Sequence, residues 1–161
     1  MVVDAVAPMR RLMTELLTDM VVKRVRAEAS CEDALVRLGA AGVDAVIADC
    51  EADAMDGAEF VRQLRNAFLD RRRYLPVLLA MGQPTAARIC AARDAGVNEI
   101  IVKPLTAARL RAELALVVRE ARPFVESPTY FGPDRRRGQR PEHRGPFRRL
   151  SDRRQRADIF V

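Results

Sequence analysis

Apolar and polar positions along the first 120 residues alternate between two periods. Met9, Leu12, Met13, Leu16, Leu17 and Met20 recur at helical spacing, and Pro8 suits the first turn of the helix they predict. Ser30 with Asp33 is a capping-box variant that opens a second helix through Ala34, Leu35 and Leu38. Residues 44–49, Asp-Ala-Val-Ile-Ala-Asp, predict a short buried strand ending in an acid. Asp56 is placed to cap a third helix, whose Phe60, Val61, Leu64 and Phe68 share a face. Residues 76–80 and 97–102 predict two more strands. Pro84 and Thr106 mark the starts of a fourth and a fifth helix, the last lined by Leu110, Leu114, Val117 and Val118. Strands alternating with helices imply a parallel sheet covered on both faces, with ligands gathering beyond the carboxyl ends of the strands. Asp4, Asp49 and Lys103 fall at such ends.

Composition narrows the chemistry. The 161 residues, 49% of them hydrophobic, suffice for one buried domain and an appendage. His143 is the only imidazole, which argues against a His-dependent nucleophile or a His-ligated metal. Cys31, Cys50 and Cys90 lie far apart without paired spacing, so neither a disulfide framework nor a zinc site is expected. No apolar run reaches the length of a membrane span, and the opening Met1-Val2-Val3-Asp4 carries an acid where a signal peptide carries base. The expectation is a soluble, cytoplasmic protein.

Charge divides the chain. Residues 1–121 hold 17 basic and 17 acidic side chains, whereas residues 122–161 hold 11 arginines against 5 acids. The whole net charge of +6 therefore sits in the last 40 residues, together with 5 of the 9 prolines. A neutral globular block, 1–121, is followed by a basic, proline-punctuated tail, 122–161, predicted to be disordered when free.

Val2-Val3-Asp4, Asp49 with Asp56-Gly57, Leu75-Pro76-Val77 and Val102-Lys103-Pro104 together resemble the CheY-like receiver domain of bacterial response regulators. The resemblance implies a flavodoxin-like, doubly wound five-stranded parallel sheet in strand order 2-1-3-4-5. It also implies Asp49 as phosphoacceptor, with Asp4 beside it and Lys103 pairing with phosphoryl oxygens. A carboxylate can act as such a nucleophile. The family's acidic pair, which holds Mg²⁺, is reduced here to Asp4 followed by Ala5, so Mg²⁺ is expected to bind weakly or not at all. The switch Ser/Thr is matched by Met81, which has no hydroxyl. The rotating aromatic of the fifth strand is matched by Ile100, and the acceptor loop's Met-Pro by Ala52-Asp53. Asp4, Asp49, Asp53 and Asp56 thus read as a remnant acidic pocket partly neutralised by Lys103, the alternative being a weakly phosphorylated site.

The tail carries ten arginines within residues 131–156 and an internal echo. Asp134-Arg135-Arg136-Arg137 with Arg140 recurs as Asp152-Arg153-Arg154 with Gln155-Arg156, the second unit preceded by Arg148-Arg149. Nucleic acid would need only positive charge, and an anionic membrane the same plus apolar anchors such as Phe147, Leu150, Ile159 and Phe160. A guanine-containing dianion needs both signs, because arginine reads guanine O6 and N7 while a carboxylate accepts from its N–H groups. The same arrangement resembles the CheY-like cyclic di-GMP effectors of alphaproteobacteria, the Cle proteins. That resemblance implies cyclic di-GMP binding in the arginine segment and docking to a flagellar motor switch component. Tyr130, Phe131 and Phe147 are candidates to stack on the bases or, equally, to tether the tail. Arg88, Arg93, Glu99 and Arg109 read as partner contacts or as ordinary solvated charges. The expected function is a non-enzymatic second-messenger effector, with no specific nucleic acid partner. The alternative is a stand-alone regulator phosphorylated on Asp49 whose tail binds an acidic protein or nucleic acid.

Overall fold

A computed structural model describes residues 1–20, 22–40, 42–119 and 122–135. Five parallel strands form one sheet: β1 (Val2–Asp4), β2 (Ala27–Glu28), β3 (Val46–Asp49), β4 (Val77–Met81) and β5 (Glu99–Val102), in the order β2-β1-β3-β4-β5. Helices α1 (Ala7–Asp19), α2 (Cys31–Ala40), α3 (Gly57–Ala67), α4 (Ala86–Ala95) and α5 (Ala107–Arg119) connect and cover them. This is the flavodoxin-like α/β arrangement the sequence predicted.

Strand periodicity sorts the core into two layers, because successive strand side chains face opposite sides. Val3, Val46, Ala48, Val77, Leu79 and Met81 point toward α2, α3 and α4, where Leu38, Phe60, Val61 and Leu64 meet them. Val2, Ile47, Leu78 and Ile101 point the other way, onto Met13 and Leu17 of α1 and Leu110 and Val117 of α5. Fully burying each such large side chain contributes roughly 1.5–3 kcal/mol.

The helix starts follow local chemistry. Pro8 lies in the first turn of α1. Ser30 and Asp33 bond reciprocally ahead of α2, Asp56 accepts from the Glu59 N–H at 2.8 Å, and Thr85 caps α4. Thr106 accepts from the Arg109 N–H at 3.3 Å.

The segment after α5 departs from expectation. Residues 124–133, assigned by sequence to the loose tail, form an antiparallel hairpin of β6 (Phe124–Ser127) and β7 (Tyr130–Pro133). It docks beside the 3-10 turn Arg71–Tyr74 and the end of α4. Tyr74, Phe124 and Phe131 pack ring to ring with centroids 5.1–5.4 Å apart. The reason is aromatic burial against partners remote in sequence, which overrides the segment's proline content. The predicted disorder of the chain beyond residue 135 lies outside the described residues.

Candidate functional site

All five strands run parallel, so their carboxyl ends meet at one pole of the sheet. Register places Asp4 directly opposite Asp49, and Met81 opposite Val102, the residue before Lys103. The three residues picked from sequence are therefore brought together. Lys103 Nζ makes an ion pair with Asp49 Oδ2. Asp4 is buried, accepts the Val6 N–H on Oδ1 at 2.8 Å, and accepts Arg10 on its carbonyl oxygen at 2.6 Å. Burial pushes the Asp4 carboxyl above its ordinary value; the Val6 N–H opposes the rise and neighbouring Asp49 adds to it.

Sequence reasoning missed Glu51. Its Oε2 accepts from the Gly82 N–H at 2.8 Å and from Lys103 Nζ at 3.0 Å. Its Oε1 accepts from Arg88 at 2.8 Å and from the Gln83 N–H at 3.4 Å. Partial burial would raise this carboxyl, but the bonds from Lys103, Gly82, Arg88 and Gln83 outweigh it and hold Glu51 at about 2. Burial likewise pulls Lys103 down, and its bonds to Asp49 and Glu51 reverse that, leaving it above its ordinary value. The only sequence signal was an acid two residues after Asp49, uninformative until Gly82 and Arg88 are placed opposite it. Arg88, one of the solvated charges of the sequence reading, is thus a member of the site.

Two expected members are elsewhere. Asp53 accepts the Cys31 N–H at 2.7 Å, at the start of α2, and Asp56 caps α3. Both carboxylates satisfy helix-terminal N–H groups, so the remnant acidic pocket consists of Asp4, Asp49 and Glu51. Met81 and Ile100 pack with the apolar layer toward α2–α4, and neither offers the hydroxyl or the aromatic ring that the resemblance implies at these positions.

The donor set can be tested against Mg²⁺, which the fold family implies. Magnesium demands near-octahedral oxygen coordination. Here position 5 is alanine, one Asp4 oxygen is committed to the Val6 N–H, and one Asp49 oxygen to Lys103. Among the described residues no three acids, histidines or cysteines converge as a metal site. These residues do not fit the ion.

Of the arginine-tail candidates, the structure describes Asp134 and Arg135. The Asp134 N–H donates to Pro123 O at 2.8 Å, and its carbonyl oxygen accepts from Arg122 at 3.2 Å. Arg135 pairs with Asp94 and lies 3.8 Å over the Tyr130 ring. Tyr130 Oη donates to Pro133 O at 2.6 Å, and Phe131 has Arg73 over its face at 3.5 Å. Both rings are engaged within the chain, as a tether would have them. Arg136, Arg137, Arg140, Arg148, Arg149, Asp152, Arg153, Arg154, Gln155, Arg156 and Phe147 lie outside the described residues.

Among the described residues no helix is long and apolar enough to cross a membrane. A family profile described as the response regulator receiver domain matches residues 1–115. The chain is 32% identical over 114 residues to chemotaxis protein CheY-3 of Vibrio cholerae, covering 71% of this chain and 86% of that protein. Among the solved structures that share its fold are a chemotaxis protein and an NtrX protein. Chemotaxis protein CheY4 of Vibrio cholerae matches with a TM-score of 0.66 at 24% identity, over 72% of this chain and 94% of that one. NtrX from Brucella abortus matches with a TM-score of 0.61 at 24% identity, and there the chain spans only 27% of the relative's length.

Proposed function

The chain belongs to the response regulator receiver domain family, and from that premise we propose that it is a signalling effector whose arginine-rich tail binds cyclic di-GMP. Ligand binding orders the tail and changes how the receiver surface meets a protein partner, a component of the flagellar motor switch in the reading that the Cle-like sequence supports. No catalytic step is assigned to the chain.

The observation that carries this reading is the repeated Asp-Arg-Arg unit at 134–136 and 152–154, in the segment that holds all the net charge. Arginine supplies bidentate contacts to guanine and phosphate, and the embedded aspartates supply the acceptor that guanine N–H groups need. The anchoring of Asp134 by Pro123 and Arg122 supports it too, because the first unit then starts from a fixed point.

A second reading is favoured by one feature: Asp49 and Lys103 are in contact, as a phosphorylatable regulator requires. Its tail would then serve charge alone.

Calorimetry on the full chain separates the two. Cyclic di-GMP, GTP and single-stranded RNA are titrated side by side at fixed salt, into the wild type and into Asp134→Ala and Asp152→Ala. The effector reading expects selective cyclic di-GMP binding that falls at least about tenfold in either variant. A charge-only tail would bind all three anions and bind them better once an aspartate is gone, which would overturn the proposal.

A further inference from the structure

We propose that the Glu51 carboxylate is the resident occupant of an oxyanion cradle beside Asp49 and keeps free oxyanions out of it. This does not rest on the tail's ligand.

The cradle is built from three separate elements. The N–H groups of Gly82 and Gln83 come from the loop after β4, Arg88 from the first turn of α4, and Lys103 from the end of β5. Two backbone donors and two cations converging on one point is the donor set of an oxyanion site. Here both oxygens of one side chain fill it.

Charge bookkeeping agrees. Arg88 and Lys103 supply two positive charges, and Asp49 and Glu51 with the neighbouring Asp4 at least match them, so the site has no excess positive charge as it stands. An arriving dianion would find no uncompensated cation while Glu51 keeps its seat.

The seat is shaped for the carboxylate. A Cβ added at Gly82 would lie 2.8 Å from Glu51 Oε2, so a larger residue there would push the carboxylate from its present position. Arg88 also donates to Gln83 O at 3.2 Å, which ties α4 to the loop through the same side chain that holds Glu51. Occupancy of the cradle is therefore linked to the first turn of α4, which Thr85 caps. A cavity of about 120 Å³ lined by Glu51, Arg88, Met81, Ala91 and Ala92 adjoins the seat. It gives the displaced side chains room without disturbing the core.

A tethered carboxylate competes with free anions at an effective concentration on the order of millimolar or above. Removing it should unmask the site. The test is a sulfate titration of the full chain followed through the amide signals of Gly82, Gln83 and Lys103, in the wild type, Glu51→Ala and Glu51→Gln. Glu59→Ala, on the exposed face of α3, controls for net charge. Glu51→Ala should bind sulfate at least about tenfold more tightly than the wild type, with shifts confined to the cradle. Glu51→Gln, near-isosteric and uncharged, should fall between them. Equal affinity in wild type and Glu51→Ala, or no binding in either, overturns the proposal. Should Glu51→Ala melt early, Glu51→Gln decides: affinity no tighter than wild type overturns it. An equal gain in Glu59→Ala also overturns it, since charge alone would then account for the effect.

Discussion

The two poles of the sheet use cations in opposite ways. At the carboxyl pole the partly exposed Lys103 and Arg88 face the buried Asp49 and the partly exposed Glu51, so each cation meets a carboxylate. At the amino pole Arg65 is fully buried and, among the described residues, hydrogen-bonds to neutral oxygens. Its guanidinium donates to Gly96 O at 3.1 and 3.0 Å, to Arg73 O at 2.8 Å, to Leu75 O at 2.7 Å and to Asn98 Oδ1 at 2.9 Å. The Phe124 ring of the hairpin closes over it at 5.1 Å. Burial lowers this guanidinium to about 9, which leaves it charged at neutral pH. One cation set neutralises acids; the other satisfies carbonyls that the chain would otherwise bury unpaired. Exposed pairs contribute about 0–1 kcal/mol each, whereas orphaning buried acceptors costs several. The amino pole, with the hairpin on it, is therefore part of the folding core, whereas the partly exposed Glu51 pairs of the carboxyl pole can be altered at little cost.

Arg65→Ala is the strongest way to break that contrast. It removes the guanidinium donors to Gly96 O, Arg73 O and Leu75 O, while Asn98 Oδ1 keeps the Val77 N–H, and it leaves a cavity under Phe124. Urea unfolding should show a loss of at least about 3 kcal/mol. Arg65→Lys, which keeps charge but loses the planar fork, should recover less than half of it. A loss near that of an exposed pair would mean the two poles are energetically alike.

Gly132→Ala acts only on the hairpin. A Cβ there would lie 2.6 Å from Gly96 Cα and 2.6 Å from Tyr130 Oη, and the first of these neighbours is backbone and cannot swing aside. Gly96 in turn holds φ at 93°, in the left-handed region that favours glycine. The substitution should cost about 1–3 kcal/mol of docking. Hydrogen exchange should show amides 124–133 losing protection while β3 and β4 keep theirs. Unchanged protection of the hairpin would place its anchor elsewhere.

What the sequence showed of this contrast depended on range. The apolar runs before Asp49 and Met81 revealed two strands, and Ser30, Asp56 and Thr106 revealed helix starts, because each signal lies within a few residues of its effect. The two-residue β2 has no periodicity to read. The hairpin was hidden because its partners Tyr74, Arg65 and Gly96 lie some 30–60 residues upstream, while its own prolines and the arginines after it point to loose chain. Proximity in the fold likewise decided which acids form the pocket. Asp53 and Asp56 looked like members by spacing yet cap helices, and Glu51 joined only once the loop after β4 was placed.

The smallest expected effect is acid titration of the carboxyl pole. Glu51 is held at about 2 in the folded chain, against an ordinary value of 4.5. Above pH 4.5 it is ionised both folded and unfolded, and its favourable bonds count in full. As pH falls toward 2 the unfolded chain takes up the proton first, so that contribution disappears. Asp4 works in the opposite sense: its raised value means the folded chain binds a proton more readily, so acid relieves a penalty as it protonates. The two therefore partly cancel in the wild type, and comparison with Glu51→Gln isolates the Glu51 part. The stability gap between wild type and Glu51→Gln, measured by urea unfolding, should stay under about 1 kcal/mol at neutral pH and close between pH 4.5 and 2. In 1 M salt, where the screening length is about 3 Å, the gap should shrink at every pH, whereas the cost of Gly132→Ala should not change. A gap independent of both pH and salt would show that Glu51 acts through packing, and the distinction between a charge-matched pole and a packed one would be lost.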